Sequence, residues 1–326
     1  MQLAWGYAPT LIIQSALQHH LFDLLDQSPK TVNELAQATG ASKRGLTAIL
    51  NALVGLQFVT RTDGRYALTP ESAAFLVSSK PGYHGTFFTH TLDQILPRWL
   101  RLGEVVRTGK PAQAVNEEGQ GAEFFAGFVE ALFPMGYPAA RVLGEHLGIS
   151  KTTAPVKVLD VAAGSGVWGI ALAQQSPLVR VCAVDWQIVL ETTKRVAARH
   201  GVADRLTTIA GDLLDASFGS DYQVAILGHI IHSEGEKRSR RLLRKTFDAL
   251  APGGTIAIAE FVPADDRTGP SNALIFAVNM LVNTEEGDTF TFEELSHWLR
   301  ETGFVDPRQL EAPSPSPLIL ATKPAR

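Results

Sequence analysis

Val156-Lys-Val-Leu-Asp160, followed at once by Val161-Ala-Ala-Gly164-Ser-Gly166-Val-Trp-Gly169, is an apolar strand running into a glycine turn. Gly164, Gly166 and Gly169 stand in G-x-G-x-x-G order, a spacing that brings backbone close to a nucleotide and opens a helix. Alone, that order suits a dinucleotide. Asp160 changes the reading, because a pyrophosphate gains nothing from a carboxylate beside its cradle. A ligand bearing an ammonium and a sulfonium does gain. S-adenosylmethionine has both, so the turn points to methyl transfer rather than hydride transfer.

Downstream, apolar runs at 179–184, 206–209, 224–227 and 255–259 alternate with helical segments. Short buried runs between helices predict a parallel sheet covered on both faces. Arg308–Leu310 and Leu318–Ala321 flank a Pro/Ser-rich link with no helix between them, which predicts an antiparallel closing pair. The expected class is α/β: a Rossmann-like, doubly wound, mostly parallel seven-stranded sheet with an antiparallel C-terminal hairpin. Such a closing hairpin is more typical of methyltransferases than of dehydrogenases.

Upstream, the chain reads as mainly helical. Ile13, Leu17, Leu21 and Leu24 share one helical face, predicting an apolar helix over Leu11–Leu25. Thr31 with Glu34 forms a capping box, Gly40 ends that helix, and Ser42 caps the next. Phe58-Val-Thr and Tyr66-Ala-Leu flank Asp63-Gly64, a hairpin signal. Thr69-Pro70 starts a further helix. The pattern is that of a winged helix, which in many settings reads DNA. Its presumed reading helix offers only Lys43 and Arg44 before turning apolar, a thin phosphate footprint. A dimerisation module, with no nucleic acid as partner, is the stronger expectation. Glycines, Lys110-Pro111 and Glu117-Glu118 between Gly109 and Gly121 mark the boundary, giving domains 1–110 and 111–326.

The chain has 326 residues, 45% hydrophobic and 19% charged, with a net charge of −4. That length suggests two domains, and the charge offers no pull toward nucleic acid or an anionic membrane. One cysteine, Cys182, fits a reducing compartment. No basic leader or uninterrupted apolar span is evident, so the expectation is cytoplasmic, with no membrane partner.

In an open parallel sheet, ligands bind beyond the carboxyl ends of the strands. The first offers Asp160 and the turn Gly164-Ser165-Gly166. The second ends at Asp185-Trp186, where a carboxylate can take both ribose hydroxyls. The third ends at Gly211-Asp212-Leu213, suited to an adenine amino group. The fourth ends in Gly228-His229-Ile-Ile-His232 and the fifth in Glu260. Acids at three successive strand ends argue for an adenosine-type ligand. His232, with an ordinary pKa near 6.5, is a natural general base, and Glu260 can orient its imidazole. No metal-ligating pattern stands out.

The whole chain resembles the class I, S-adenosylmethionine-dependent small-molecule O-methyltransferases, such as plant caffeate and flavonoid and bacterial polyketide and phenazine enzymes. The likeness is carried by Leu159-Asp-Val-Ala-Ala-Gly-Ser-Gly166, Gly211-Asp212, Leu227-Gly-His-Ile-Ile-His232, Leu250-Ala-Pro-Gly-Gly254 and Ala259-Glu260-Phe-Val-Pro263. It implies His232 as catalytic base, Glu260 as a flanking acid, Asp185 on the ribose and Gly211, Asp212 and Leu213 beside adenine. It also implies a winged-helix N-terminal domain that makes homodimers. Four departures stand out. Ser233 follows the histidine where plant members usually have Asp, and Gly228-His229 replaces Lys-Trp among the cofactor contacts. Ala162-Ala163 replaces glycines. The second flanking acid falls near Thr289, with Glu285, Glu286 and Asp288 close by.

The resemblance lines the acceptor pocket with Phe125, Phe128, Leu132, Phe133, Met135, Phe276, Asn279, Met280 and Asn283. Phe and Met there favour a flat aromatic acceptor, and no cationic residue obviously awaits a carboxylate. Rival readings are the same scaffold acting on carbon or nitrogen or abandoning methyl transfer, and a winged-helix regulator with an adenosine-sensing domain.

Overall fold

The computed structural model describes residues 3–115, 121–122, 124–125, 128–314 and 316–325. The chain divides into two compact units, Met1–Pro97 and Arg98–Arg326. This boundary lies before the glycine-rich stretch at 109–121. Arg98 and Trp99 belong with the second unit because they hydrogen-bond to Asn283 and Asn279.

In the N-terminal unit, the helix expected over Leu11–Leu25 is two helices, Ala8–Gln18 and Leu21–Gln27. The break is at His19-His20, where His20 adopts a left-handed backbone at φ 51°. The apolar period survives because Ile13, Ala16, Leu21, Phe22 and Leu25 enter one core across the break. Thr31 and Glu34 form both bonds of the capping box. Ser42 accepts the Gly45 N–H at the head of helix Lys43–Gly55. Strands β1 (Val59–Thr62) and β2 (Arg65–Leu68) pair antiparallel. Asp63 and Gly64, both at positive φ, make the tight turn between them.

The second unit holds seven strands. They are β3 (Val156–Val161), β4 (Val179–Asp185), β5 (Leu206–Ala210), β6 (Tyr222–Gly228), β7 (Leu250–Ala259), β8 (Val305–Leu310) and β9 (Leu318–Thr322). Their order is β5-β4-β3-β6-β7-β9-β8. Neighbours from β5 to β7 are parallel, and β9 is antiparallel to both β7 and β8.

Strand side chains alternate between the two faces. Val158, Val181, Val224, Ile226, Ala257 and Leu318 pack with helices Val129–His146, Val167–Gln175 and Gln187–Arg199. Leu159, Val161, Val184, Leu227, Ile258 and Ile319 pack with helices Ile231–Ala249 and Phe292–Thr302. Cys182 lies buried in the second of these faces. Among the described residues no helix is long and apolar enough to cross a membrane, and no His, Cys, Asp or Glu cluster is arranged to hold a metal ion.

Candidate active site

Strand β3 delivers Asp160, which is fully buried. Its Oδ2 accepts the Gly169 N–H at 2.9 Å, so this acid staples the turn to the helix that follows. Its Oδ1 is buried without a hydrogen-bond partner. Burial pushes the carboxyl up to about 7, against the pull of the Gly169 N–H. A Cβ on Gly169 would stand 2.5 Å from Val181, so helix and strand meet through this glycine.

Gly164 and Gly166 adopt left-handed backbone at φ 55° and 77°, and Ser165 between them is buried. Ala162 takes a similar φ, 54°, despite its side chain, so its departure from glycine carries strain. Thr193 donates to the Gly164 carbonyl at 2.6 Å, a support that the sequence reading missed.

Strand β4 ends at Asp185, whose Oδ2 accepts the Gly164 N–H at 2.9 Å and Oδ1 the Trp186 N–H at 2.8 Å. Each oxygen keeps a second lone pair for a ligand hydroxyl. Burial raises this carboxyl to about 6, although both N–H donors oppose the shift. Asp185 thus ties the second strand end to the first.

Beyond β5, Gly211 is at φ 140° and its N–H bonds to the Asp185 carbonyl. Asp212 is already engaged, with Oδ1 on the Leu214 N–H at 2.8 Å and Oδ2 on Arg238 at 2.9 Å. Arg238 also donates to buried Glu234 at 2.6 Å. Leu213 is buried, and its carbonyl accepts from Lys245.

Strand β6 ends at Gly228, where a Cβ would lie 2.1 Å from the Trp168 indole nitrogen. His229 follows at φ 60°, with Nε2 3.0 Å from the Ser316 hydroxyl. Burial lowers its pKa to about 4, so it is neutral at physiological pH.

His232 and Glu260 come together, both buried. His232 Nδ1 donates to Glu260 Oε2 at 2.6 Å, and the His232 backbone N–H reaches Oε1 at 3.2 Å. Burial raises the Glu260 carboxyl, but His232 and its hydrogen bonds outweigh that and hold it below the usual value. A carboxylate on Nδ1 leaves Nε2 as the nitrogen free to accept a proton.

Among the described residues Glu260 is the carboxylate that His232 holds. The segment expected to supply a second acid instead grips the histidine by its backbone. Asp288 donates its N–H to the His232 carbonyl at 2.9 Å, while Glu285 and Glu286 are exposed. Thr289 is buried with an unpartnered hydroxyl. Gly235 interrupts helix Ile231–Ala249 at φ 68° and ψ 169°, and a Cβ there would lie 2.6 Å from the Glu286 carbonyl oxygen.

Of the expected pocket residues, Phe276 meets the His232 ring edge-on at 4.9 Å and stacks on Phe261 at 4.1 Å. Asn279, Met280 and Asn283 follow on the same face of helix Ser271–Asn283. Phe125 and Phe128 each lie against Phe124, and Phe125 also nears Trp186. Leu132 is half-buried and Met135 exposed. Phe133 stacks in the core on Tyr137 and His200. A cation also occupies this region: Arg98 is buried and donates to Asn283, which the sequence reading did not anticipate.

Residues 142–305 match the O-methyltransferase domain family, and residues 1–78 match the O-methyltransferase dimerisation domain family. The chain is 32% identical to the 3-hydroxy-5-methyl-1-naphthoate 3-O-methyltransferase of Streptomyces sahachiroi, over 96% of this chain and 91% of that one. It is 28% identical to TcmO, the tetracenomycin polyketide synthesis 8-O-methyl transferase of Streptomyces glaucescens, over 99% and 96%. The fold also superposes on human N-acetylserotonin methyltransferase in complex with SAM. There the TM-score is 0.86 at 22% identity, covering 99% of this chain and 96% of that one.

Gly228→Ala should distort this site without touching a catalytic group. Displacing buried Trp168 is expected to cost on the order of 1–3 kcal/mol, read as a lower thermal midpoint together with reduced activity. An unchanged midpoint would show that the strand end has room to spare.

Proposed function

The chain belongs to the S-adenosylmethionine-dependent O-methyltransferase family, and from that membership we propose that His232 removes the acceptor's hydroxyl proton while Glu260 orients and balances it. The observation that carries this reading is the 2.6 Å bond from His232 Nδ1 to Glu260. It leaves Nε2 to take the proton, and the low-lying Glu260 carboxylate stabilises the imidazolium that forms. A phenol, with an ordinary pKa near 10, becomes a competent nucleophile only as that proton leaves.

When bound, S-adenosylmethionine supplies a methyl group on a cationic sulfur and departs as the neutral thioether S-adenosylhomocysteine. The residues present suit it. Asp160, with an unpartnered oxygen, and the turn Gly164-Ser165-Gly166 would hold its cationic amino-acid end. Asp185 would take the ribose hydroxyls. Gly211–Leu213 would flank adenine, using lone pairs that Arg238 and Leu214 leave on Asp212. With both partners aligned, most of the acceleration comes from positioning.

The acceptor in this reading is a small hydroxylated aromatic. The aromatic pair formed by Phe276, edge-on to His232, and Phe261, stacked on it, supports it, as do relatives named for a naphthoate and a polyketide. The dimerisation-family match and the exposed Leu3, Trp5, Tyr7 and Leu11 support a homodimer formed through the N-terminal unit.

His232→Ala should lower kcat by about 10²- to 10⁴-fold while S-adenosylhomocysteine affinity, measured by calorimetry, stays within a few-fold; near-normal turnover would remove the histidine from the base role. Cofactor binding should also depend on pH. Asp160 and Asp185 are raised in the free protein, so they hold protons as pH falls through about 7 and 6, whereas a cationic ligand favours the charged forms. Affinity is therefore expected to drop on acidification, with protons released on binding near pH 6.5, seen as buffer-dependent binding enthalpies. By the same linkage these acids stabilise the cofactor-free fold below their ordinary range near 3.8, an effect lost as pH rises through about 6 for Asp185 and about 7 for Asp160. Light scattering should return twice the chain mass; a monomer at micromolar concentration would contradict the homodimer.

A further inference from the structure

Among the described residues, Arg98 places a charge where no acid meets it. The residue is 7% exposed, Nη1 donates to Asn283 Oδ1 at 3.0 Å, and the guanidinium lies 4.8 Å from the Phe124 ring centroid. Among the described residues no carboxylate lies within ion-pair distance, and Nε and Nη2 donate to nothing. A buried cation that, among the described residues, meets an amide oxygen and a ring face is under-compensated.

The surroundings are built to aim it. Asn283 directs Oδ1 at Arg98 because its Nδ2 is held by the Asn279 carbonyl at 2.8 Å and the Asn279 side chain at 3.1 Å. Asn279 in turn accepts the Trp99 indole N–H at 2.9 Å. Phe276, Asn279 and Asn283 lie at i, i+3 and i+7 on one helix face. Phe276 touches His232, and Asn283 stands two turns away, about 10 Å along the axis. The C-terminus of this helix does not need Arg98, since Ala112 and Val115 already donate to the carbonyls of Val282 and Asn283.

Resting on the base assignment above, we propose that Arg98 is a specificity residue and that the aromatic acceptor carries a carboxylate. The acid docks on the free guanidinium fork while the hydroxyl at the opposite end faces His232. A planar fork matches a carboxylate with two parallel hydrogen bonds. A one- or two-ring hydroxyarene acid bridges the intervening distance.

The test uses full-length enzyme loaded with S-adenosylhomocysteine and calorimetry with 6-hydroxy-2-naphthoate, its carboxamide and 2-naphthol. Wild type should bind the acid about 10- to 100-fold more tightly than either neutral probe, the range for a hydrogen bond to a charged group. Arg98→Met should erase that preference while leaving 2-naphthol within about 3-fold, and Arg98→Lys should restore part of it. Equal affinity of wild type for acid and carboxamide would overturn the proposal, as would equal loss of all probes in a folded Arg98→Met. If Arg98→Met does not fold, the wild-type comparison alone decides. Methyl transfer to 2-naphthol by wild type and His232→Ala reads the base assignment separately, because that probe has no carboxylate.

Discussion

The parallel pairing of β6 with β7 is the constraint on which the chemistry depends. It sets Leu227 beside Ile258 and Gly228 beside Ala259, so the residues leaving the two strands emerge at one level. One strand continues into the turn carrying His232, and the other presents Glu260 next in line. A single-residue slip would send Glu260 to the opposite face. The small residues Gly228 and Ala259 let Trp168 and the two backbones crowd together at this edge. The imidazole is therefore positioned by strand register, with the segment 284–289 holding its backbone carbonyl.

Carboxylates connect the other strand ends. Asp160 joins β3 to helix Val167–Gln175, and Asp185 joins β4 to the glycine turn and to Trp186. Asp212 joins the β5 end to helix Ile231–Ala249 through Arg238. Each has local N–H donors or a cation, and burial still leaves Asp160 and Asp185 reluctant to ionise. A polar pocket assembled this way is stiff before any ligand arrives, which favours alignment over induced closure.

The sheet was legible because strands buried on both faces read as apolar runs, and the β8–β9 pair because no helix separates them. The capping box at Thr31 and the Asp63-Gly64 turn are local chemistry, visible within four residues. The break at His19-His20 was not legible. No glycine or proline marks it, and both helices feed one core, so the apolar period runs on. In the site, His232 and Glu260 were readable from their strand-end positions. The capture of Asp212 by Arg238 and of Arg98 by Asn283 was not. Those pairs form between residues far apart in sequence, and side-chain direction decides them.

Gly235 has a mechanical meaning beyond its backbone angles. It breaks helix Ile231–Ala249 after one turn and lies flush against Glu286, while Asp288 holds the His232 carbonyl. The turn bearing the histidine is thus bolted to the segment 284–289, while Arg238 on Glu234 and the Ser239 hydroxyl on the Ile231 carbonyl tie it across the glycine to the fourteen residues of helix beyond. The proton-accepting nitrogen stays indexed to the sheet.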